Sequence, residues 1–308
     1  MTFSKRYTVP ATILAIASLF AYTIVLADTA STSVTVGNSA PVTSAASFNG
    51  GTNITLIENT LVHATGTVTV TDANGCSTIT GVTAKFYLAS TSNSGSNCSY
   101  DGNICYTSTC VATTTGNQCT GGGDTSVQYD CGFAVWYNTT ATDSGTWATS
   151  IWSFAATSTD GSASHVATNT AQTIEVNTLN ALNVTSSIAY GTVPANTDTG
   201  STNQTTTVTN TGNNALDTEI SGDDMCTDYP GCSGSTMQSE QQEYSLNSFT
   251  YGAGTDLTNS AVTVETVLAK PTATTSAVTD DVLWGIGVPN GQTAGSYTGQ
   301  NTFTAVND

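Results

Sequence analysis

The chain has 308 residues, with 22 Asp and Glu against 4 Lys and Arg and a formal net charge of −18 at pH 7. A surface so one-sided in sign repels nucleic-acid phosphates and anionic lipid headgroups, which excludes nucleic-acid binding and attachment to acidic membrane surfaces. Charged residues are only 8% of the chain, against an average of about 25%, so solubility rests on Ser and Thr hydroxyls and on amides, and salt bridges are scarce by composition.

Residues 1–27, MTFSKRYTVPATILAIASLFAYTIVLA, read as an export signal helix. Lys5 and Arg6 form its positive start, the apolar run from Val9 to Leu26 its body, and Val25-Leu26-Ala27 the site of cleavage after Ala27. A retained anchor is the alternative, because a run of about 18 apolar residues lies at the lower edge of what spans a bilayer. The protein then touches a membrane through this segment alone. Either way the rest of the chain is secreted or held at the cell surface. Without the signal, 22 acids face two bases, Lys85 and Lys270. Cations of the medium are the available counterions, so Ca²⁺ is the one cofactor to consider.

Eight cysteines in an exported chain point to disulfides rather than metal ligation. Cys76, Cys98, Cys105, Cys110, Cys119 and Cys131 contain no C-x-x-C pair, and His63 and His165 are the only histidines, so zinc spacing is absent. Those six are expected to pair among themselves, in an order that spacing does not choose. Cys226 and Cys232 are expected to pair with each other across the Pro-Gly turn of MCTDYPGC. This partition divides the mature chain into two domains, 28–177 and 178–308.

Within the first domain, SVTV places Val34 and Val36 on one face of a short strand. TVTVTD sends Val68 and Val70 one way and its threonines the other. VTAKFYL puts Val82, Ala84, Phe86 and Leu88 inward, with Thr83, Lys85 and Tyr87 opposite. Asn49-Gly50-Gly51 and Asn74-Gly75 supply turns between such runs. The alternation stops over 89–128, where four cysteines lie, and this stretch is expected to be a disulfide-stapled loop without regular structure. CGFAVWY and WATSIWSFAAT then resume the strands, and Trp152 and Phe154 are expected in the core rather than on a sugar-stacking surface.

The second domain begins near Asn177–Asn180. TTTVTNTGNNALDTEISG reads as a hairpin, with Val208 before the turn, Leu216, Thr218 and Ile220 inward, and Asp217 and Glu219 out. Further strands are expected at Tyr244–Tyr251, Val262–Leu268, Val282–Val288 and Tyr297–Val306. No mature segment carries an amphipathic helix period. The fold class is therefore all-β, two antiparallel sandwiches.

Two strand ends, TGTVTVTDANG and WATSIWSFAATSTDG, are similar to those of bacterial extracellular immunoglobulin-like domains of the polycystic-kidney-disease-repeat and cadherin-like kind. The resemblance implies immunoglobulin-like sandwiches and makes Asp72, Asn74 and Asp160 candidate Ca²⁺ ligands. The tail DVLWGIGVPNGQTAGSYTGQNTFTAV resembles the closing hairpin of bacterial surface sandwiches, including cell-wall-binding domains of the WxL type. Ile286 and the missing distal tryptophan motif depart from that pattern, so wall binding is not carried over.

No G-x-S-x-G, H-E-x-x-H or Gly-rich phosphate loop is present. Asp223-Asp224 and Asp280-Asp281 are adjacent acids that point apart, whereas glycoside hydrolysis needs carboxyls facing across a cleft. The chain is expected not to be an enzyme. A lysine-to-asparagine crosslink would need Lys85 or Lys270 buried beside an acid, and the polar face of VTAKFYL speaks against Lys85. Two functions follow. One is a structural surface-layer or filament subunit that joins copies of itself or surface polymers by strand addition, with Thr29–Val42 as the donor strand. The alternative is a secreted adhesin or carbohydrate-binding module that presents Tyr100 and Tyr106 of the cysteine-rich loop to glycans.

Overall fold

The computed structural model describes residues 28–308; the segment expected to be an export signal helix, and the cleavage expected after Ala27, lie outside them. The described residues fall into a short unit ending at Gly37 and a large one, Asn38–Asp308. In the short unit residues 28–37 form no strand, and Val34 and Val36 are 88% and 78% exposed. The SVTV strand expected there is not formed. Alternation alone does not make a strand, since its N–H and C=O groups need a neighbouring ladder.

The large unit is all-β. Its first half holds β1 (Val42–Phe48), β2 (Leu61–Thr71), β3 (Gly81–Leu88), β4 (Cys105–Thr109), β5 (Val111–Ala112), β6 (Ser126–Trp136), β7 (Trp152–Thr159) and β8 (Ser164–Ile174). They make two antiparallel four-stranded sheets, in the orders β1-β2-β6-β5 and β4-β3-β7-β8. Between them lies a core in which Val68, Val70, Val82, Ala84, Phe86, Leu88, Phe133, Trp152 and Phe154 are buried. This is what strict alternation demands, because one face of each strand meets the opposite sheet. Phe86 stacks on Phe48 at 4.5 Å and on Trp152 at 4.4 Å. Gly66 admits the Phe154 ring, which a Cβ at that position would meet at 2.6 Å.

Three expectations are corrected here. The stretch 89–128 is not structureless: β4, β5 and the start of β6 lie in it, and β4 pairs with β3 from Tyr87↔Cys105 to Thr83↔Thr109. Tyr87, placed outward by the alternation, is buried. Cys98, Cys105 and Ala155 cover it in a small cluster on the outer face. Val42 is not available to a donor strand, because it opens β1 opposite Thr71.

The second half holds β9 (Leu182–Val184), β10 (Thr197–Asp198), β11 (Gln204–Asn210), β12 (Leu216–Gly222), β13 (Met225–Cys226), β14 (Thr236–Met237), β15 (Gln242–Ser245), β16 (Thr255–Asp256), β17 (Val262–Leu268), β18 (Thr279–Val288) and β19 (Asn301–Asn307). One sheet runs β16-β15-β18-β11-β9, with β10 against the end of β18, and faces a second, β17-β12-β19. Val208, Leu216, Ile220, Leu257, Val282 and Trp284 form the core between them. The expected hairpin between β11 and β12 is absent because the two strands belong to different sheets. Leu216, Thr218 and Ile220 do point inward, but Asp217 is only 8% exposed and is not an outward residue.

The segment expected to be that hairpin's turn instead seals the junction of the halves. Asn213, 2% exposed, accepts from Leu179 N–H at 2.6 Å through Oδ1 and donates through Nδ2 to Thr139 O and Asn177 O. Thr211 Oγ1 donates to Glu58 Oε1 at 2.8 Å. Gly212 packs so closely that a Cβ there would lie 2.1 Å from Leu179 O. The disulfides are Cys76–Cys119, Cys98–Cys105, Cys110–Cys131 and Cys226–Cys232. Cys110 marks the point where the chain passes from β4 in one sheet to β5 in the other, and its bond to Cys131 of β6 pins that passage inside the core.

Candidate functional site

The acidic turns after β2 and β7 are linked through one short strap. Asn38 Nδ2 donates to Asp160 Oδ2 at 2.8 Å, and Ser39 N–H donates to Asn74 Oδ1 at 2.6 Å. Asp72 Oδ1 accepts from Asn74 N–H, closing an Asx turn. Asp160 Oδ1 accepts from the N–H groups of Ser162 and Ala163. The bond from Asn38 and those backbone donors hold the Asp160 carboxyl below its ordinary range. The three Ca²⁺ candidates are therefore connected in space by Asn38 and Ser39. Most of their oxygens already accept from nitrogen; the exception is Asp72 Oδ2, which is buried and has no hydrogen-bond partner. Among the described residues no cluster of three or more His, Cys, Asp or Glu could hold a metal.

The cysteine-rich stretch presents less than the sequence offered. Tyr106 is buried, with its hydroxyl bonded to Gly102 O at 2.7 Å and to Thr139 Oγ1, and burial pushes its phenol well above the ordinary range. It cannot meet a glycan. Tyr100 remains 56% exposed, edge-on to Tyr106 at 5.9 Å. Trp152 and Trp284 are both in the cores, so neither offers a stacking surface.

A break in strand pairing lies in the second half. β11 pairs with β18 from Gln204 to Thr209, but with β9 only over Val208–Asn210. Thr185 prolongs that side by one step: its N–H donates to Thr207 O, and its hydroxyl oxygen accepts from Thr207 N–H. Beyond it no strand continues the ladder among the described residues. A cleft of about 470 Å³ occupies the gap, lined on one side by apolar groups such as Val184, Ile188 and Phe303 and elsewhere by polar ones such as Ser187, Gln242 and Asn301. A second, of about 610 Å³, shares Ile188, Tyr190, Met225 and Tyr297 with it. Thr206 Oγ1 is buried there with no partner. Nothing in the sequence distinguishes this edge, because it is made by β9 stopping early and by β19 lying in the opposite sheet.

Neither adjacent acid pair builds a hydrolytic site. Asp280 Oδ2 accepts from Val267 N–H while Asp281 Oδ1 accepts from Thr207 Oγ1. Asp223 Oδ2 accepts from Tyr229 Oη and Asp224 Oδ1 from Ser239 N–H. Each carboxylate ties down a different loop or strand. Asp228 does the same inside the Cys226–Cys232 loop, where Ser233 Oγ, Gly234 N–H and Ser233 N–H lower its carboxyl from the ordinary range. No protein-family model matches the chain, and no curated protein matches its sequence.

Proposed function

We propose that the protein is a non-enzymatic extracellular structural subunit of a bacterial envelope, built into a surface layer or filament by strand addition between copies. The observation that carries this reading is the open ladder of β11 beside a cleft lined by both apolar and polar side chains. A strand end without a neighbour and a cleft beside it are what an added strand needs, since the main chain supplies affinity and alternate side chains enter the cleft. The donor is residues 29–37, where Val34 and Val36 sit two apart and exposed in a segment without a strand of its own. Four disulfides suit an extracellular site, and Asn213 hydrogen-bonds the second half to Thr139 and Asn177 of the first.

Deleting residues 29–37, which spares Asn38 and Ser39, should leave a folded, oxidised monomer that no longer assembles, read by electron microscopy and sedimentation. Replacing Val34 and Val36 with Asp should do the same. Polymers that persist in both variants refute the donor assignment. The alternative, a glycan-binding adhesin, rests on the exposed ring of Tyr100. A glycan array in which Tyr100→Ala abolishes a specific signal would favour it.

A further inference from the structure

The cysteine-rich stretch and the second half meet at a point the strand-addition reading does not use. Lys270, two residues beyond β17, reaches back to the first half. Its Nζ donates to Asn103 Oδ1 at 2.5 Å and to its neighbour's carbonyl, Pro271 O, at 3.3 Å. With a C=O bond of about 1.23 Å, the nitrogen lies no more than about 3.7 Å from the Asn103 amide carbon, close to the separation from which nucleophiles attack. Asn103 is held at its side chain and at its backbone. Thr140 Oγ1 donates to the same Oδ1 at 3.0 Å, and Thr140 N–H donates to Asn103 O at 3.1 Å. Asp101 Oδ1 accepts the N–H groups of Asn103, Ile104 and Cys105 at 2.8–2.9 Å, and Asn93 Nδ2 holds its other oxygen. Cys105 is in turn bonded to Cys98.

We propose that Lys270 and Asn103 join in an intramolecular isopeptide bond that locks the cysteine-rich stretch to the second sandwich. In the reaction the Nζ lone pair attacks Asn103 Cγ. The negative charge that gathers on Oδ1 is held by the Thr140 hydroxyl. The Cγ–Nδ2 bond breaks, Nδ2 takes the proton that Nζ gives up, and ammonia leaves. One amide is exchanged for another, so no oxidant or other co-reactant is needed. The starting amine must be neutral, and burial brings that form within reach by lowering the Lys270 pKa to about 8, the Asp101 charge opposing the shift. Asp101 is a positioning residue; burial raises its carboxyl, but the three backbone N–H groups and Asn93 outweigh that and keep it ionised. Thr140 and Lys270 come from opposite halves of the chain, so the bond forms only once both sandwiches have folded and met.

The test is the intact mass of the purified, oxidised full-length protein, followed by fragmentation of a digest. The expected mass is lower than that of the four-disulfide chain by one ammonia, with a branched peptide joining residues 103 and 270. Lys270→Arg keeps a cation and a hydrogen bond but cannot form the amide, and Asn103→Ala removes the acceptor; both should return to the full mass. Thr140→Val, which removes only the hydroxyl, should slow formation and leave a mixture. A wild-type protein at full mass without a branched peptide overturns the proposal. So does an ammonia loss that survives in Lys270→Arg, which would place the loss at an asparagine elsewhere. A disulfide count on each variant distinguishes misfolding from failure of the chemistry.

Discussion

Gly212→Ala tests the claim that the two sandwiches are held by the segment between β11 and β12. A Cβ at residue 212 would stand 2.1 Å from Leu179 O and 3.0 Å from Ala181 N. Both are backbone atoms, so no rotamer relieves the clash and the two segments must separate. Overpacking of this kind costs about 1–3 kcal/mol. Separation also strains Asn213 N–H to Leu179 O, Thr211 N–H to Ala181 O, and Leu179 N–H to Asn213 Oδ1, each worth about 1 kcal/mol net. Together the substitution should remove about 3–5 kcal/mol, a large share of the roughly 5–15 kcal/mol of an ordinary domain. The assay is guanidinium unfolding of the oxidised protein, followed by the fluorescence of Trp152 and Trp284, one in each core. The variant should unfold at lower denaturant and in two steps as the halves uncouple. Gly132→Ala is the control: nothing lies within 4 Å of its Cβ, and losing a strand glycine is neutral or mildly stabilising. A Gly212→Ala protein within about 0.5 kcal/mol of wild type, the level of a neutral surface change, would refute the junction.

Disulfide removal should follow loop length. Cys76–Cys119 spans 43 residues and Cys226–Cys232 spans 6, so by chain entropy the double Ser variants should lose about 4 and about 2 kcal/mol; the reverse order in denaturant midpoints would show that native contacts dominate. Asp101, Asp124, Asp160 and Asp228 have carboxyls lowered from 3.8. They bind fewer protons folded than unfolded, so their stabilisation is present above pH 3.8 and is lost as the pH falls through the lower folded values; a Tm that is flat from pH 5 to pH 2 would contradict this. Asp217 is shifted the other way, by burial first and then by Glu265 and Asp308. It costs stability as the pH rises through its raised value, so Asp217→Asn should raise Tm at pH 7 and leave it unchanged at pH 3. Calcium added to chelated protein should leave Tm unchanged, because the oxygens of Asn74 and Asp160 are already taken by Ser39, Asn38, Ser162 and Ala163; a rise abolished by Asp72→Asn would restore the ligand reading.

The faces of individual strands were legible because side chains alternate with a period of two wherever one side meets a core. Val68 and Val70, the inward set of β3, and the placement of Trp152 and Phe154 in the core all follow from that rule. The rule is silent on which strand lies beside which. β11 and β12 read as a hairpin from their turn residues, yet the Thr-Gly-Asn-Asn segment crosses between sheets and spends its polar groups on Leu179, Thr139 and Asn177. Tyr87 and Tyr106 were misjudged for a related reason. The stretch 89–128 has few apolar residues, and its disulfides, rather than hydrophobic pattern, fold it over β3.

By itself the amino-acid sequence determined the all-β class, the core-facing residues of strands such as β2 and β3, and the acidic, cation-poor composition, since these depend on local period and on residue counts. The tertiary structure alone decided the pairing of six cysteines, the sheet each strand joins, the open ladder of β11 and the meeting of Lys270 with Asn103. Those are contacts between residues far apart in the chain, and 167 positions separate the lysine from the asparagine. No local pattern encodes such a meeting, because it exists only after two cores have packed and Gly212 has let them close.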